Sequence, residues 1–177
     1  LYAGEVAAGE YTVVVEAQGY APAAKVVTIA ADKATQNLFV LTPVSDTATF
    51  LSTANTEVTV GDVQLALPAD AFVDAAGLPF AGTVTVLFAP TGPTAAELAG
   101  APGPLVGTPS GGDGPQVLSA AFLADIRFVA PDGSGLQLEA GKTATLTYVL
   151  PKTLAQLYAT GQTLGGWFFD LTTATWQ

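Results

Sequence analysis

Residues 8–44 read AGEYTVVVEAQGYAPAAKVVTIAADKATQNLFVLTPV, and the fold class follows from this stretch. Side chains alternate along an extended chain, so Tyr11, Val13 and Val15 fall on one face of a strand and Thr12, Val14 and Glu16 on the other. Gln18-Gly19-Tyr20-Ala21-Pro22 supplies turn chemistry, because Gly accepts left-handed backbone and Pro fixes φ. Residues 25–30 predict a second strand, Ala31-Asp32-Lys33 a turn, and residues 35–41 a third strand. Pro43 ends that strand, and Ser45-Asp46-Thr47 reads as a short polar linker. Residues 1–44 therefore resemble the later half of a small sandwich. Its opening strands are expected before Leu1, or else donated by a like subunit through strand addition.

The same grammar runs through the rest of the chain. Residues 50–53, 57–60, 63–67, 83–88, 118–130, 136–138, 144–150 and 166–171 alternate or are apolar, and residues 174–177 begin another strand. Gly61-Asp62, Asp74-Ala75-Ala76-Gly77, Pro131-Asp132-Gly133-Ser134-Gly135 and Gly141-Lys142 are turns between them. Short helical turns are expected at residues 94–98 and 151–158, and a single helical turn or a corner at 68–72. Residues 89–116 are rich in Gly, Pro and Ala, and a loop of that length inside a compact domain is often functional. Strands at this spacing predict an all-β chain of two antiparallel β-sandwich domains, Ig-like or transthyretin-like. The first spans residues 1–44 and is incomplete at its N-terminus. The second spans residues 47–177 and carries the long loop 89–116.

Composition excludes several function classes. Fifteen acids against five bases give a net charge of -10, which repels nucleic-acid phosphates and anionic lipid. The chain has no Cys and no His, so thiolate catalysis, a Ser-His-Asp triad and Cys or His zinc sites are out of reach. Residues 153–169, the nearest candidate for a membrane span, are broken by Gln156, Gln162 and three glycines, so no membrane span is expected.

Ala8-Gly9-Glu10-Tyr11-Thr12-Val13, then Gln18-Gly19-Tyr20 and Val26-Val27-Thr28-Ile29, resemble the closing half of carboxypeptidase regulatory-like domains, which are transthyretin-like sandwiches. Three further segments resemble a β-sandwich found in bacterial surface proteins and in the ectodomain of cartilage intermediate layer proteins. They are Leu67-Pro68-Ala69-Asp70-Ala71-Phe72-Val73-Asp74 with Gly82-Thr83-Val84-Thr85-Val86, Pro131-Asp132-Gly133 with Gly141-Lys142-Thr143-Ala144-Thr145-Leu146, and Trp167-Phe168-Phe169-Asp170 with Trp176. The resemblance implies spacing, presentation and adhesion, with no catalytic residues to carry over.

Gly141-Lys142-Thr143 is similar to the end of a phosphate-binding loop, but Leu136 stands where that motif needs Gly and strands flank it. Asp62, Asp70, Asp74, Asp113, Asp132 and Asp170 could offer oxygens to Ca²⁺, which takes six to eight. Most lie beside Gly, where Asp serves turns. Asp70 and Asp74 form the best pair, because one corner could bring their carboxylates together. Two carboxylates about 5–10 Å apart could also hydrolyse a glycoside, but no familiar motif surrounds these acids. Trp167 and Phe169 share a strand face and Phe168 the other, so one face is expected in the core. Tyr20, Tyr158 and Trp176 are the candidates for exposed ligand contact, set against the plainer reading of core or rim packing. Asp125 and Arg127 share a face of one strand, paired with a neighbouring strand or facing solvent.

The expectation is an extracellular, non-enzymatic module of a cell-surface or filament-forming protein, acting as spacer or assembly unit. Its partners would be neighbouring β-domains of the same chain or like subunits. The alternative is an adhesion module that binds carbohydrate or Ca²⁺. No other cofactor is expected.

Overall fold

The computed structural model describes residues 6–92, 94–109, 112 and 114–177. The chain is all-β with antiparallel sheets and no barrel. In order, the strands are β1 (Gly9–Val15), β2 (Ala23–Ile29), β3 (Asp46–Leu51), β4 (Thr56–Val60), β5 (Val63–Leu67), β6 (Phe72–Val73) and β7 (Thr83–Thr91). After the one-turn helix α1 (Ala95–Leu98) come β8 (Val106–Gly107), β9 (Gln116–Val117), β10 (Leu123–Val129), β11 (Gly135–Leu138) and β12 (Thr145–Tyr148). A second single turn, α2 (Lys152–Ala155), precedes β13 (Phe169–Asp170) and β14 (Thr175–Trp176).

The chain divides into two compact units. One consists of Leu1–Pro43, Thr91–Ala121 and Gly161–Gln177, the other of Val44–Pro90 and Phe122–Thr160. Residues 47–177, read from sequence as one domain, are thus shared between the units: the Gly/Pro-rich stretch and the last seventeen residues cluster with residues 1–43.

The second unit is a sandwich. One sheet has the order β3-β7-β10-β11-β6 and the other β12-β5-β4. Alternation sends Phe50, Phe72, Val84, Val86, Phe88 and Leu136 of the first sheet into one core with Val58, Val60, Val63, Leu65 and Leu67 of the second. The hairpin between β4 and β5 pairs Val60 with Val63 and turns on Gly61 at φ +55°. A Cβ at Gly61 would also lie 2.6 Å from the Phe88 ring, so both backbone and space require glycine there.

Ser52 is the one buried polar residue among those described, with 0% exposure. Its Oγ donates to the Phe80 carbonyl at 3.2 Å and accepts the Gly82 N–H at 3.0 Å, closing the end of the β3–β7 pair. Ser52→Ala should cost about 1–3 kcal/mol, because it leaves the Gly82 N–H without that acceptor. A lower urea midpoint at unchanged slope would register it.

In the first unit β1 and β2 pair along their whole length, from Gly9↔Ile29 to Val15↔Ala23. A second sheet has the order β13-β14-β8-β9. Its β14–β8 pairing is parallel, Trp176 against Gly107. The expected third strand at residues 35–41 is not one: the segment is non-strand backbone and mostly exposed. Side chains and two backbone contacts hold it instead of a ladder. Lys25 Nζ donates to the Leu38 carbonyl at 2.7 Å and lies 5.0 Å from the centre of the Phe39 ring. The Ala21 N–H reaches the Thr42 carbonyl at 2.8 Å, and Tyr20 bridges Pro43.

Candidate functional site

The acids named from sequence are placed by the turns they occupy. Asp74 follows β6, and its Oδ1 accepts the N–H groups of Ala76 at 2.8 Å and Leu78 at 2.9 Å. Asp132 Oδ1 accepts the Ser134 N–H at 2.9 Å and the Ser134 hydroxyl at 2.7 Å. Asp170 Oδ1 accepts the Thr172 N–H at 2.8 Å. In each case the carboxylate closes a turn onto the amide two residues ahead, which is the local chemistry that favours Asp in turns. Asp70 precedes β6 in left-handed backbone at φ +50°, and its N–H donates to the Ser52 carbonyl at 2.7 Å. Asp70 and Asp74 therefore flank a short extended segment, one at each end. Asp62 is exposed, and Asp113 lies outside the described residues. Among the described residues no group of three or more acids is close enough to hold a metal ion.

These hydrogen bonds set the acid response. The Ser134 hydroxyl holds the Asp132 carboxyl below its ordinary range, the Thr172 amide does the same for Asp170, and the Thr94 hydroxyl for Glu97. Glu97 and Thr94 form a capping box at the start of α1. Asp125 moves the other way: burial pushes its carboxyl up, with Arg127 opposing. A lowered folded-state value means stability that is present above the unfolded carboxylate range and lost as pH falls through the folded value. A raised one has the opposite sign. The three lowered carboxylates therefore contribute a loss of stability as pH drops below about 4, which Asp125 opposes. Urea melts at stepped pH would show it, and Asp132→Asn should flatten part of that acid limb.

Asp125 and Arg127 pair with each other along β10 at 2.6 Å, a same-strand contact beside the cross-strand and solvated readings. The reason is geometric. Residues two apart on one strand face are close enough for the flexible guanidinium to fold back on the carboxylate, and both groups are half-buried.

The aromatic candidates separate. Tyr20 is 43% exposed and lies in the first unit. Tyr158 is half-buried just beyond α2 and lies in the second. Trp176, a candidate for exposed contact, follows the packing reading instead: it is 4% exposed. Its indole Nε1 donates to the Pro104 carbonyl at 2.9 Å, and its ring packs edge-on against Phe169 with centroids 5.1 Å apart. Trp176 is a packing residue because the parallel pairing with β8, distant in sequence, brings Pro104 and Gly107 against it. Phe168 is 63% exposed while Trp167 and Phe169 are half-buried, as alternation requires.

Sequence reading missed Gly107 and Pro104. A Cβ at Gly107 would lie 2.7 Å from the Trp167 ring and 2.8 Å from Trp176 Cβ, so bare backbone is needed where these two side chains approach it. Nothing local in the sequence marks that requirement. The Gly141-Lys142 turn is as expected: Gly141 has φ +85° and the Lys142 N–H donates to the Glu139 carbonyl at 2.9 Å.

Among the described residues no helix is long and apolar enough to cross a membrane. Residues 3–45 match the model of the PEGA domain family. No curated protein and no solved structure matches the chain.

Proposed function

We propose that this chain is a non-enzymatic structural module of an extracellular surface protein, working as a spacer or assembly unit. The carrying observation is where the acids go. Asp74, Asp132 and Asp170 each direct a carboxylate oxygen onto the amide two residues ahead, so their chemistry serves the bends between strands. The match of residues 3–45 to the PEGA family, which is typical of extracellular and periplasmic proteins, supports the location. The Gly-x-Tyr and Gly-Tyr pattern in β1 and the turn after it supports the finer likeness to carboxypeptidase regulatory-like domains. In this reading the sandwiches hold neighbouring β-domains or like subunits at a fixed spacing.

The experiment places the chain between two fluorescent proteins. A spacer keeps energy transfer constant from low temperature up to a cooperative melt. A transfer efficiency that drifts continuously with temperature overturns the reading. The adhesion alternative rests on the exposure of Tyr20 and is tested by the same protein on a glycan array and in calorimetry with CaCl2. Saturable sugar binding that disappears in Tyr20→Ala, or saturable calcium heat that disappears in Asp70→Asn, would favour it.

A further inference from the structure

Three successive residues of the Gly/Pro-rich stretch each engage a different partner within the first unit. The Pro102 carbonyl accepts the Ala24 N–H at 2.8 Å. Val14 and Ala24 are directly opposite in the β1–β2 ladder, and in an antiparallel pair the residues whose amides point outward alternate with those bonded to the partner strand. Ala24 thus offers its N–H on the side of β2 away from β1. Gly103 lies between β2 and the C-terminal hairpin. A Cβ there would come 2.4 Å from the Phe169 ring and 3.2 Å from the Ala24 carbonyl oxygen. Pro104 offers the carbonyl that takes the Trp176 indole N–H at 2.9 Å.

The small residues fit this arrangement. Ala23 and Ala24 are 2% and 0% exposed, although they stand in a two-stranded hairpin that could not bury them by itself. A two-stranded hairpin is at best marginally stable in water without further packing. Thr42 adds a second fastening from the same stretch, its Oγ1 donating to the Gly100 carbonyl at 2.8 Å.

We propose that Pro102-Gly103-Pro104 is an internal strap: it occupies the outer edge of β2, locks the β13–β14 hairpin onto it, and makes residues 6–43 dependent on two segments far away in sequence. The strap is a conformational device. While it is seated, the edge of β2 is closed; when it lifts, the β2 edge and the Trp176 indole are released together. Two proline rings flanking one glycine suit the task, because the prolines stiffen the segment while the glycine admits the close approach of Phe169 and Ala24.

Hydrogen exchange read by mass spectrometry on the full chain tests this with two variants. Gly103→Ala introduces the clash, and Trp176→Phe removes only the indole donor. Gly103→Ala should raise exchange of the amides in Ala23–Ile29 at least tenfold and Trp176→Phe about two- to tenfold, each together with those of residues 105–107, and both should leave Val84, Val86 and Phe88 of β7 protected. If Trp176→Phe raises exchange in residues 161–177 alone and β2 stays protected, the strap is overturned. If Gly103→Ala unfolds the whole chain, the outcome for Trp176→Phe decides.

Discussion

Phe72→Ala should cost about 3–5 kcal/mol in the second unit, the range for truncating a large buried aromatic. Phe72 is 1% exposed. Its ring is 5.7 Å from that of Phe50 and 5.0 Å from that of Phe128, centre to centre, so it joins β3, β6 and β10 inside one core. Alanine leaves a cavity against both rings, and pairing with β11 holds β6 in register, so little collapse can refill the space. The loss should be read as a lower urea midpoint and as faster exchange of the amides in Thr83–Thr91 and Val63–Leu67. Phe72→Leu keeps most of the volume and should cost less than half as much. If both variants melt with the parent, Phe72 is not central to the packing and the sandwich assignment of β6 falls.

Trp176→Ala should be comparably severe in the first unit, again about 3–5 kcal/mol. It removes the edge-on contact with Phe169 and leaves the Pro104 carbonyl without the indole donor. It also empties the space above Gly107, where close packing excludes even a methyl group. Trp176→Phe separates the two contributions: it keeps a ring beside Phe169 and loses the hydrogen bond, for about 0.5–1.5 kcal/mol. Trp167 is the other tryptophan of the chain and packs on the same glycine, so its fluorescence provides the readout. A melt unchanged in Trp176→Ala would mean that the packing of Trp176 contributes nothing to the first unit.

Most strands could be read in the sequence because a period of two in hydrophobicity is a local property. Val84, Val86 and Phe88 point into one core as their spacing predicted. The turns were legible for the same reason: Asp132 bonds Ser134 two residues on, and Gly133 takes φ +86°. Residues 35–41 failed because apolar content there did not specify a ladder partner. What holds them is the Lys25 side chain on Leu38 and Phe39 with backbone contacts at Thr42 and Pro43 just beyond, and isolated contacts leave no periodic trace.

The candidate site divided along the same line. Whether an Asp closes its own turn depends on three consecutive residues, and the Asp-x-Ser and Asp-x-Thr patterns at 132–134 and 170–172 contain that information. Whether a Trp is exposed depends on what crosses it. Trp176 stands against Gly107, and no pattern near either residue announces the other.

The amino-acid order alone established an all-β chain, its bends, and the absence of thiol and imidazole chemistry. Those are matters of side-chain alternation, turn preference and composition, all of which act within a few residues. Only the folded chain decided that residues 91–121 and 161–177 join residues 1–43 in one compact unit, and that Pro102, Gly103 and Pro104 fasten them. Such contacts form between segments separated by long stretches of chain, where shape and unpaired backbone groups, not local preference, select the partner.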